Sequence, residues 1–467
     1  RIAIGSLVAA DAAAVDRAVQ AARAARADWR GTPWPQRIAM LCRAADAIRR
    51  DRFEIAMGLV YEVGKSRLEA MGEVEESIDL IDYYCEQAEQ AQHWQRPLRP
   101  GSATETGSDR LVPYGVFAVI SPFNFPLALA VGMTSSALLA GNTVVWKPSP
   151  GAAFSAPALA RAYREAGLPD GVFNFVAGDR DVGQALIEHP GVDGVAFTGS
   201  HEVGMAIARR MLAGAFARPV LAELGGKNAA FVTASADLDA AASGVARAAF
   251  GLSGQKCSSC SKVYVARALE REFLERLAAI AERLVVGDPT QARTFTGPVI
   301  DAAAAARFEQ AVAQARADGR VVAGGRRLAA ADAPELGERA ENGAYLRPTI
   351  VAGLPPEHPV NRRELFVPLV SVQPYDALAD AIDDSNRSAL GLTSGIYCRD
   401  ERELALYYDR IEAGVLYVNR ASGATTGAWP GYQTFCGWKG SGTTGKGGLG
   451  PYYVTQFMRE QSRTVAR

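Results

Sequence analysis

A cysteine near the middle of the chain is surrounded by residues small enough to let a ligand approach it closely. Cys257 stands in the segment Gly-Leu-Ser-Gly-Gln-Lys-Cys-Ser-Ser, which is rich in glycine and serine and follows an alanine-rich helical stretch that ends near Phe250. In a loop, its sulfur and its backbone N–H could both face a pocket, as a thiol nucleophile that also holds an oxyanion requires. Because free cysteines are among the most buried residue types, a structural role is the alternative for Cys257 alone.

Three further polar residues lie where segments of strand character end. Asn124 stands in the loop Pro-Phe-Asn-Phe-Pro, Lys147 ends the next strand, and Glu223 begins the sequence Glu-Leu-Gly-Gly-Lys-Asn. An amide can donate to an oxyanion, and a carboxylate can activate water. Taken singly, a turn role for Asn124 and a helix-start or ion-pair role for Glu223 explain these residues better. Only the combination of these residues with Cys257 indicates a catalytic site.

The first half of the chain predicts helices followed by a parallel sheet. Helical periodicity covers residues 12–30, 35–63 and 66–95. We interpret the acidic face of the third helix as a solvated surface; its acidic residues are Glu73, Glu75, Glu76, Asp79 and Asp82. Alternating strands and helices are typical of an α/β fold, whose ligands bind at the carboxyl ends of the strands. The predicted strands are 115–120, 143–147, 172–176, 194–198 and 220–224, and the predicted helices between them are 127–140, 152–166 and 182–189.

The second half repeats the alternation after Cys257. Strands are predicted at 263–265 and 414–419, and helices at 267–285, 302–318 and 403–411. Residues 329–342 are predicted to form a loop. Residues 421–450 are glycine-rich and almost without periodicity, and so long an irregular segment in a compact enzyme is usually functional.

Composition excludes several classes of protein. The chain has 467 residues, which suggests roughly three domains. A net charge of −1 indicates no nucleic-acid partner, and six thinly spread cysteines indicate a reducing, cytoplasmic setting rather than a disulfide scaffold. Prolines and an asparagine interrupt the uncharged stretch 111–146, so no membrane span is expected, and residues 1–5 show no signal pattern. None of the four histidines lies in a motif, so no metal site is expected.

Together, these motifs resemble the NAD(P)-dependent aldehyde dehydrogenase superfamily. The resemblance covers nearly the whole chain, and the order and spacing of the motifs fit. Each motif alone is weak, but all of them in sequence order are specific. The further matches are Phe197-Thr198-Gly199-Ser200, Glu364-Leu365-Phe366, Leu390-Gly391-Leu392-Thr393 and Gly414-Val415-Leu416-Tyr417-Val418-Asn419.

The resemblance implies a mechanism without a metal. Cys257 would attack the aldehyde carbon, and the Asn124 amide and the Cys257 N–H would hold the oxyanion. Oxidation of this thiohemiacetal would leave a thioester, which water activated by Glu223 would cleave. The cofactor implied is NAD. NADP stays possible, because Pro150 stands where NAD-preferring relatives often carry an acidic residue, which would repel a 2′-phosphate. The cofactor-binding residues implied are Lys147, Ser149, Gly199, Ser200, Glu364 and Phe366.

Two segments resemble one group within the superfamily, the Δ1-pyrroline-5-carboxylate (L-glutamate γ-semialdehyde) dehydrogenases. These are Cys-Ser-Ser-Cys-Ser, which starts at Cys257, and a Gly-Ala dipeptide before Gln433. Gly423-Ala424 offers the same dipeptide as Gly427-Ala428. The substrate-binding residues implied are Phe123, Ser258, Gly427 and Ala428.

The sequence departs from the family at two places. Val367 stands where glycine is usual, and Gln-Thr-Phe-Cys-Gly, with Thr434 and Cys436, replaces the commoner Gln-Pro-Phe-Gly-Gly. A broader aldehyde or succinate-semialdehyde dehydrogenase and a non-catalytic binding protein therefore stay open. The pair Cys257 and Cys260 also invites a thiol–disulfide interpretation, although the context of a thioredoxin is absent and Cys260 is expected to pack beneath the loop.

The resemblance also implies an α/β architecture of the aldehyde dehydrogenase type. It combines a Rossmann-type cofactor domain, an α/β catalytic domain and a small β bridging element, and it implies a homodimer or a higher homo-oligomer. The boundaries are expected at 1–96 and 116–225 for the NAD(P)-binding domain, 226–420 for the catalytic domain, 97–115 and 452–467 for the bridging element, and 421–451 for the substrate-anchor loop region.

Overall fold

The computed structural model describes residues 5–422 and 425–466. It begins with four helices, and each starts or stops at a recognisable signal. The Asp11 carboxylate accepts from the Ala14 N–H at 2.7 Å and caps the first helix, and Gly64, with φ of 72°, ends the third. The predicted single helix 35–63 is wrong, because the chain breaks at Asp51, which ends one helix and starts the next. The four helices are α1 (Ala12–Gly31), α2 (Trp34–Arg50), α3 (Arg52–Val63) and α4 (Arg67–Gln90).

A parallel five-stranded sheet follows, as predicted. In spatial order, its strands are β5 (Phe173–Phe175), β4 (Thr143–Lys147), β3 (Val116–Ile120), β6 (Gly194–Thr198) and β7 (Val220–Glu223). The chain therefore adds strands on one side of β3 and then crosses to the other side. Helices cover its apolar strands, which are buried on both faces. The elements in order are β1 (Gln95–Leu98), β2 (Glu105–Pro113), β3 (Val116–Ile120), α5 (Ala128–Leu139), β4 (Thr143–Lys147), α6 (Ala156–Glu165), β5 (Phe173–Phe175), α7 (Arg180–Glu188), β6 (Gly194–Thr198), α8 (His201–Leu212) and β7 (Val220–Glu223).

The carboxyl ends of these strands meet at one edge of the sheet. Ile120 pairs with Lys147 on one side and with Phe197 on the other, and Thr198 pairs with Glu223. The strand order reverses between β3 and β6, and such a switch point leaves a crevice in which ligands of open α/β sheets bind. The sheet therefore gathers the residues that follow β3, β4, β6 and β7.

A second sheet of seven strands occupies the other half of the chain. Its order is β10-β11-β12-β9-β8-β14-β15, and only β10 runs antiparallel to its neighbour. The sequence did not predict β8, and the loop predicted at 329–342 contains a short helix. The elements are β8 (Asn228–Val232), α9 (Leu238–Phe250), β9 (Cys260–Ala266), α10 (Glu270–Arg283), α11 (Ala302–Asp318), β10 (Arg320–Ala323), α12 (Glu338–Asn342), β11 (Thr349–Ala352), α13 (Pro359–Arg362), β12 (Leu369–Tyr375), α14 (Leu378–Asn386), β13 (Leu390–Gly391), β14 (Thr393–Tyr397), α15 (Glu401–Arg410), β15 (Val415–Val418), β16 (Trp438–Lys439) and β17 (Met458–Ala466).

A three-stranded antiparallel sheet joins distant parts of the chain. β17 pairs with β2 along its whole length, from Met458 opposite Pro113 to Ala466 opposite Glu105, and β1 lies on the other side of β2. Within the described ranges, no helix combines the length and the apolarity that crossing a membrane requires. The uncharged stretch 111–146 instead supplies the end of β2, β3, α5 and β4.

The acidic face of α4 is only in part the solvated surface that the sequence suggested, because Asp82 is exposed whereas Glu73 is buried. Glu73 is 1% exposed, and its carboxylate lies 2.6 Å from the ammonium of Lys65, whose side chain is fully buried. The second carboxylate oxygen of Glu73 accepts from the N–H groups of Leu127 and Ala128, at 2.8 and 3.1 Å, where α5 begins. A helix N-terminus favours a carboxylate, so Glu73 ties α4 to α5.

Candidate active site

The loop that carries Cys257 begins with an unusual backbone. Leu252, Ser253 and Gly254 follow one another with φ of 48°, 53° and 71°, a left-handed conformation that side-chain-bearing residues rarely adopt. Ser253 is held there by Thr296, whose hydroxyl accepts from its N–H at 2.7 Å. A Cβ at Gly254 would overlap with the carbonyl of Val367. Contacts to other parts of the chain therefore impose this conformation.

Asn124 is connected to the same loop. Its side-chain N–H donates to the carbonyl of Gln255 at 2.9 Å, two residues before Cys257, and the Asn124 residue is only 4% exposed. The Gln255 side chain in turn accepts from the Ile300 N–H at 2.8 Å and donates to the Leu252 carbonyl at 3.1 Å. The Asn124 amide has a second N–H, which this hydrogen bond leaves free.

Asn228 also holds the Cys257 loop, although no role was predicted for it from its sequence motif. Its side chain donates to the carbonyls of Cys257 and Ser259 at 2.7 and 2.9 Å and accepts from the Thr393 N–H at 3.0 Å. A Cβ at Gly226 would overlap with the Asn228 side chain, which explains that glycine. The signal that could have identified Asn228 is its position: this polar residue begins an otherwise apolar segment, two residues after Gly226.

One cavity of about 620 Å³ brings several predicted residues together. Cys257, Ser258, Glu223 and Ala428 all line it. Burial raises the pKa of the Cys257 thiol to about 12, and the nearby carboxylates of Glu364 and Glu223 act in the same direction. At neutral pH the thiol is therefore protonated, so a base must take its proton before the sulfur can attack.

Glu223 is held in the cavity by the glycine-rich segment. Its carboxylate accepts from the Gly448 N–H at 2.8 Å, and burial raises its pKa to about 7 although that hydrogen bond favours the ionised form. Ser441 crosses just behind it, since its carbonyl accepts from the Leu224 N–H at 2.9 Å and its hydroxyl donates to the Gly225 carbonyl at 2.7 Å. A carboxyl with this pKa can accept a proton at neutral pH.

Helix α4 forms another wall of the cavity, again contrary to the solvated interpretation. Glu76 lines it, and burial, with the neighbouring carboxylate of Glu73, raises the Glu76 pKa to about 7. One turn further on, Asp79 accepts from the indole N–H of Trp429 at 2.6 Å, and the Tyr84 hydroxyl accepts from a backbone N–H of the glycine-rich segment. α4 thus positions the segment that closes the site.

The predicted substrate-anchor loop is only partly at the cavity. Ala428 lines it, but its N–H donates to the Thr426 hydroxyl at 3.1 Å. Gly427 has φ of 82° and packs against the guanidinium of Arg420, with which a Cβ would overlap. The alternative dipeptide Gly423-Ala424 lies outside the described residues. Neither Phe123 nor Asn124 is among the described residues that line the cavity, although Phe125 is.

Lys147 and Ser149 lie at the carboxyl end of β4. The Lys147 ammonium donates to the carbonyls of Pro148 and Gly178, both at 2.9 Å, and burial lowers its pKa. One of its three N–H donors is left over. The Ser149 hydroxyl accepts from the Gly151 N–H at 3.3 Å and starts a short 3₁₀ turn. A second cavity, of about 720 Å³, is lined by Pro150, Gly151 and Gly178.

Gly199 and Ser200 follow β6, next to the site of Glu223. The Gly199 N–H donates to the Glu223 carbonyl at 3.2 Å. The Ser200 hydroxyl accepts from the Val203 N–H at 3.4 Å and caps α8, whose other first-turn N–H groups have no partner within the helix. Such a helix start favours a bound anion.

Glu364 and Phe366 lie between the two sheets. The Glu364 carboxylate accepts from the Gly226 N–H at 2.9 Å, and burial raises its pKa. Phe366 has φ of 57°, and its ring meets that of Phe123 edge-on, with centroids 6.0 Å apart. A spare ammonium donor, a helix N-terminus and a carboxylate acceptor are the donor set that a ribose–pyrophosphate chain needs, so these residues fit a dinucleotide.

The departures and the remaining cysteines are accommodated by packing. Val367 is 4% exposed and belongs to an apolar cluster with Val299 and Leu369. The Cys436 thiol donates to the Gly414 carbonyl at 3.4 Å. Cys260 packs beneath the loop, as expected, and is 1% exposed in the core of the second sheet. All six cysteines are free.

The fold and the site define a class: an α/β protein in which a sheet of the nucleotide-binding order meets a cavity lined by a cysteine and a carboxylate. Residues 2–462 match the sequence pattern of the aldehyde dehydrogenase family, and the chain belongs to that family. The resemblance inferred from the motifs is confirmed at this level.

Three relatives illustrate the similarity. The 1-pyrroline-5-carboxylate dehydrogenase 1 of Halalkalibacterium halodurans is 35% identical over 472 residues, which cover 99% of this chain and 87% of the relative. The solved structure of 1-pyrroline-5-carboxylate dehydrogenase from Thermus with bound NAD superimposes with a TM-score of 0.92 at 34% identity, over 98% of this chain and 87% of that one. Proline utilization A from Bdellovibrio bacteriovorus gives 0.91 at 34% identity over 98% of this chain, which spans only 46% of that protein.

Proposed function

We propose that this protein oxidises an aldehyde to a carboxylic acid with NAD or NADP, and that the aldehyde is L-glutamate γ-semialdehyde. The observation that carries the proposal is that Cys257 and Glu223 line one cavity. Glu223 ends β7 of the first sheet, and Cys257 lies just before β9 of the second sheet begins. The relatives described as 1-pyrroline-5-carboxylate dehydrogenases support the choice of substrate.

Cys257 supplies the nucleophile. Its sulfur bonds to the aldehyde carbon while the thiol proton leaves to a base, and the carbonyl oxygen becomes an oxyanion. Two donors are available for that oxyanion: the free N–H of the Asn124 amide and the backbone N–H of Cys257. Because Asn124 and Asn228 both bond to the loop around Cys257, these donors are held in place before the substrate arrives.

Glu223 completes the reaction as a general base. Once oxidation has converted the thiohemiacetal carbon into a thioester, a water molecule must attack it and lose a proton. With a pKa of about 7, the Glu223 carboxylate can take that proton, and the Cys257 sulfur leaves as the acid is released. The Gly448 N–H orients the carboxylate for this step.

The dinucleotide, when bound, accepts the hydride that the reacting carbon gives up. Lys147 and Ser149 would hold its adenosine ribose, the turn at Gly199 and Ser200 its pyrophosphate, and Glu364 and Phe366 its nicotinamide riboside. The Thermus relative is described with bound NAD, which favours NAD. Pro150 supplies no carboxylate that would repel a 2′-phosphate, so NADP is a second candidate.

The lining of the cavity favours an amino-acid semialdehyde over succinate semialdehyde. Ser258 and the loop with Gly427 and Ala428 would hold the α-carboxylate, and Phe123 would pack beside the substrate. Glu76 presents a carboxyl group to the same cavity, where an α-ammonium would find a partner. Succinate semialdehyde has no ammonium and would leave Glu76 without one.

The parts of the chain take the following roles in this proposal. The regions 1–96 and 116–225 form the cofactor domain, 226–420 the catalytic domain, and 421–451 the loop region that closes the site. The sheet built from 97–115 and 452–467 bridges two subunits of a homodimer or higher homo-oligomer in the cytoplasm. Exposed strands in that sheet offer hydrogen-bonding edges to a second copy.

The test is reduced-cofactor absorbance with glutamate γ-semialdehyde, succinate semialdehyde and a simple alkyl aldehyde, each with NAD and with NADP. We expect kcat/KM to be at least about tenfold higher for the glutamate compound, which corresponds to roughly 1.4 kcal/mol of transition-state binding. In Glu76→Gln this preference should shrink. Equal or better turnover of succinate semialdehyde would overturn the substrate assignment, and no turnover by folded protein would overturn the activity.

A further inference from the structure

The mouth and the interior of the active-site cavity carry opposite charges. Among the described residues that line it, every charged side chain that is solvent-exposed is an arginine: Arg67 at the start of α4, Arg247 in the last turn of α9, and Arg293 after α10. The carboxyl groups of Glu76 and Glu223 line the same cavity but are buried. The arginines therefore form a positive rim.

The three rim arginines differ in how their charge is used. Arg293 pairs with Glu335 at 2.8 Å, and Arg67 donates to the Thr290 carbonyl at 2.6 Å. In the described ranges no hydrogen bond or ion pair engages the guanidinium of Arg247, whose backbone carbonyl accepts from the Gly251 N–H at the end of α9. No neighbour on α9 explains why the positive charge of Arg247 lies unpaired at the entrance of the cavity. An anionic substrate that enters the cavity would interact with this charge.

We infer that Arg247 is a specificity-determining residue, which draws the carboxylate end of the substrate into the cavity and favours aldehydes that carry one. A cleft whose entrance has one sign of charge focuses the field and raises the local concentration of the opposite ion. The inference rests on the proposed function. It also predicts an order: the effect of Arg247 is largest for a net anion such as succinate semialdehyde, smaller for zwitterionic glutamate γ-semialdehyde, and absent for an alkyl aldehyde.

The experiment compares wild type with Arg247→Gln, Arg247→Lys and a matched control, Arg283→Gln. Arg283 is exposed, lies in the last turn of α10 and lines no described cavity. Arg283→Gln therefore removes the same charge from an equivalent position of a helix. kcat/KM is measured for the three aldehydes at about 0.02 M and about 0.5 M salt. Surface fields are strongly screened at the higher concentration.

At low salt, Arg247→Gln should lower kcat/KM about threefold to fivefold for succinate semialdehyde and about twofold for glutamate γ-semialdehyde. For the alkyl aldehyde it should match Arg283→Gln. The differences should largely vanish at high salt, and Arg247→Lys should retain wild-type values, since a point charge suffices. If Arg247→Gln equals Arg283→Gln with every aldehyde while wild type turns all of them over, the inference fails and the proposed function stands. If wild type oxidises none, the proposed function fails.

Discussion

Replacing Glu223 by Gln removes the proposed base while keeping the size and the hydrogen-bond acceptor that meets the Gly448 N–H. Burial holds the pKa of this carboxyl at about 7, so roughly a tenth of the protein has the active carboxylate at pH 6 and roughly nine-tenths at pH 8. The wild-type steady-state rate should therefore rise about tenfold over that interval, because only the ionised form accepts a proton from water.

In Glu223→Gln, kcat should fall about 10²- to 10⁴-fold, the usual contribution of a general base, which corresponds to about 3 to 5 kcal/mol of transition-state stabilisation. The assay follows reduced-cofactor absorbance between pH 5.5 and 8.5, together with intact-protein mass spectrometry of the variant after mixing with substrate and cofactor. The mass should show the acyl group retained on Cys257. A variant that keeps more than a tenth of kcat, or keeps the rise near pH 7, would refute this role of Glu223.

Three further changes test the rest of the site. Cys257→Ser should abolish aldehyde oxidation, whereas Cys260→Ser should retain it, because only the first thiol lines the cavity. Asn228→Ala should lower kcat at least about tenfold and the melting temperature by several degrees, since it frees two carbonyls of the catalytic loop and leaves buried groups unpaired, at about 1–3 kcal/mol each. Glu73→Gln should destabilise folding by about 3–5 kcal/mol in urea titration, because it leaves the buried Lys65 ammonium without a counter-charge.

Each of these has a control. Loss of activity in Cys260→Ser with an unchanged fold would instead support the thiol–disulfide interpretation. Asn228→Asp preserves the acceptor toward the Thr393 N–H but not the two donors, so normal activity in it would contradict the positioning role. The double variant Lys65→Met/Glu73→Gln should recover most of the stability lost in Glu73→Gln, and a simple addition of two losses would contradict the ion-pair argument.

The residues at strand ends could be predicted from local patterns. Asn124, Lys147 and Glu223 each follow an apolar run of strand length, and parallel strands place such residues at one edge of a sheet without knowledge of any distant contact. The five strands of the first sheet were confirmed for the same reason. Cys257 was recognisable because small residues on either side permit its loop.

The prediction was wrong where tertiary contacts override a local pattern and where the sequence lacks a local signal. A run of acids on a helix usually faces solvent, but Glu73 meets Lys65 and the start of α5, and Glu76 faces a cavity that other elements complete. The break at Asp51 has no glycine or proline to announce it. β8 was not predicted because it begins at Asn228, directly after Lys227, and such polar residues are unusual at the start of a buried strand.

The hydrogen bond between Glu223 and Gly448 determines when, during synthesis of the chain, the active site can be completed. The two residues are 225 positions apart. During synthesis at about 5–20 residues per second, the five-stranded sheet leaves the ribosome roughly 11 to 45 seconds before the backbone N–H that orients its carboxylate. The nascent chain can bury a first core in that time, but the glycine-rich segment that contains Gly448 is synthesised near the end, before β17. Synthesis therefore yields a folded nucleotide-type sheet first and a competent catalyst only once the glycine-rich segment has docked.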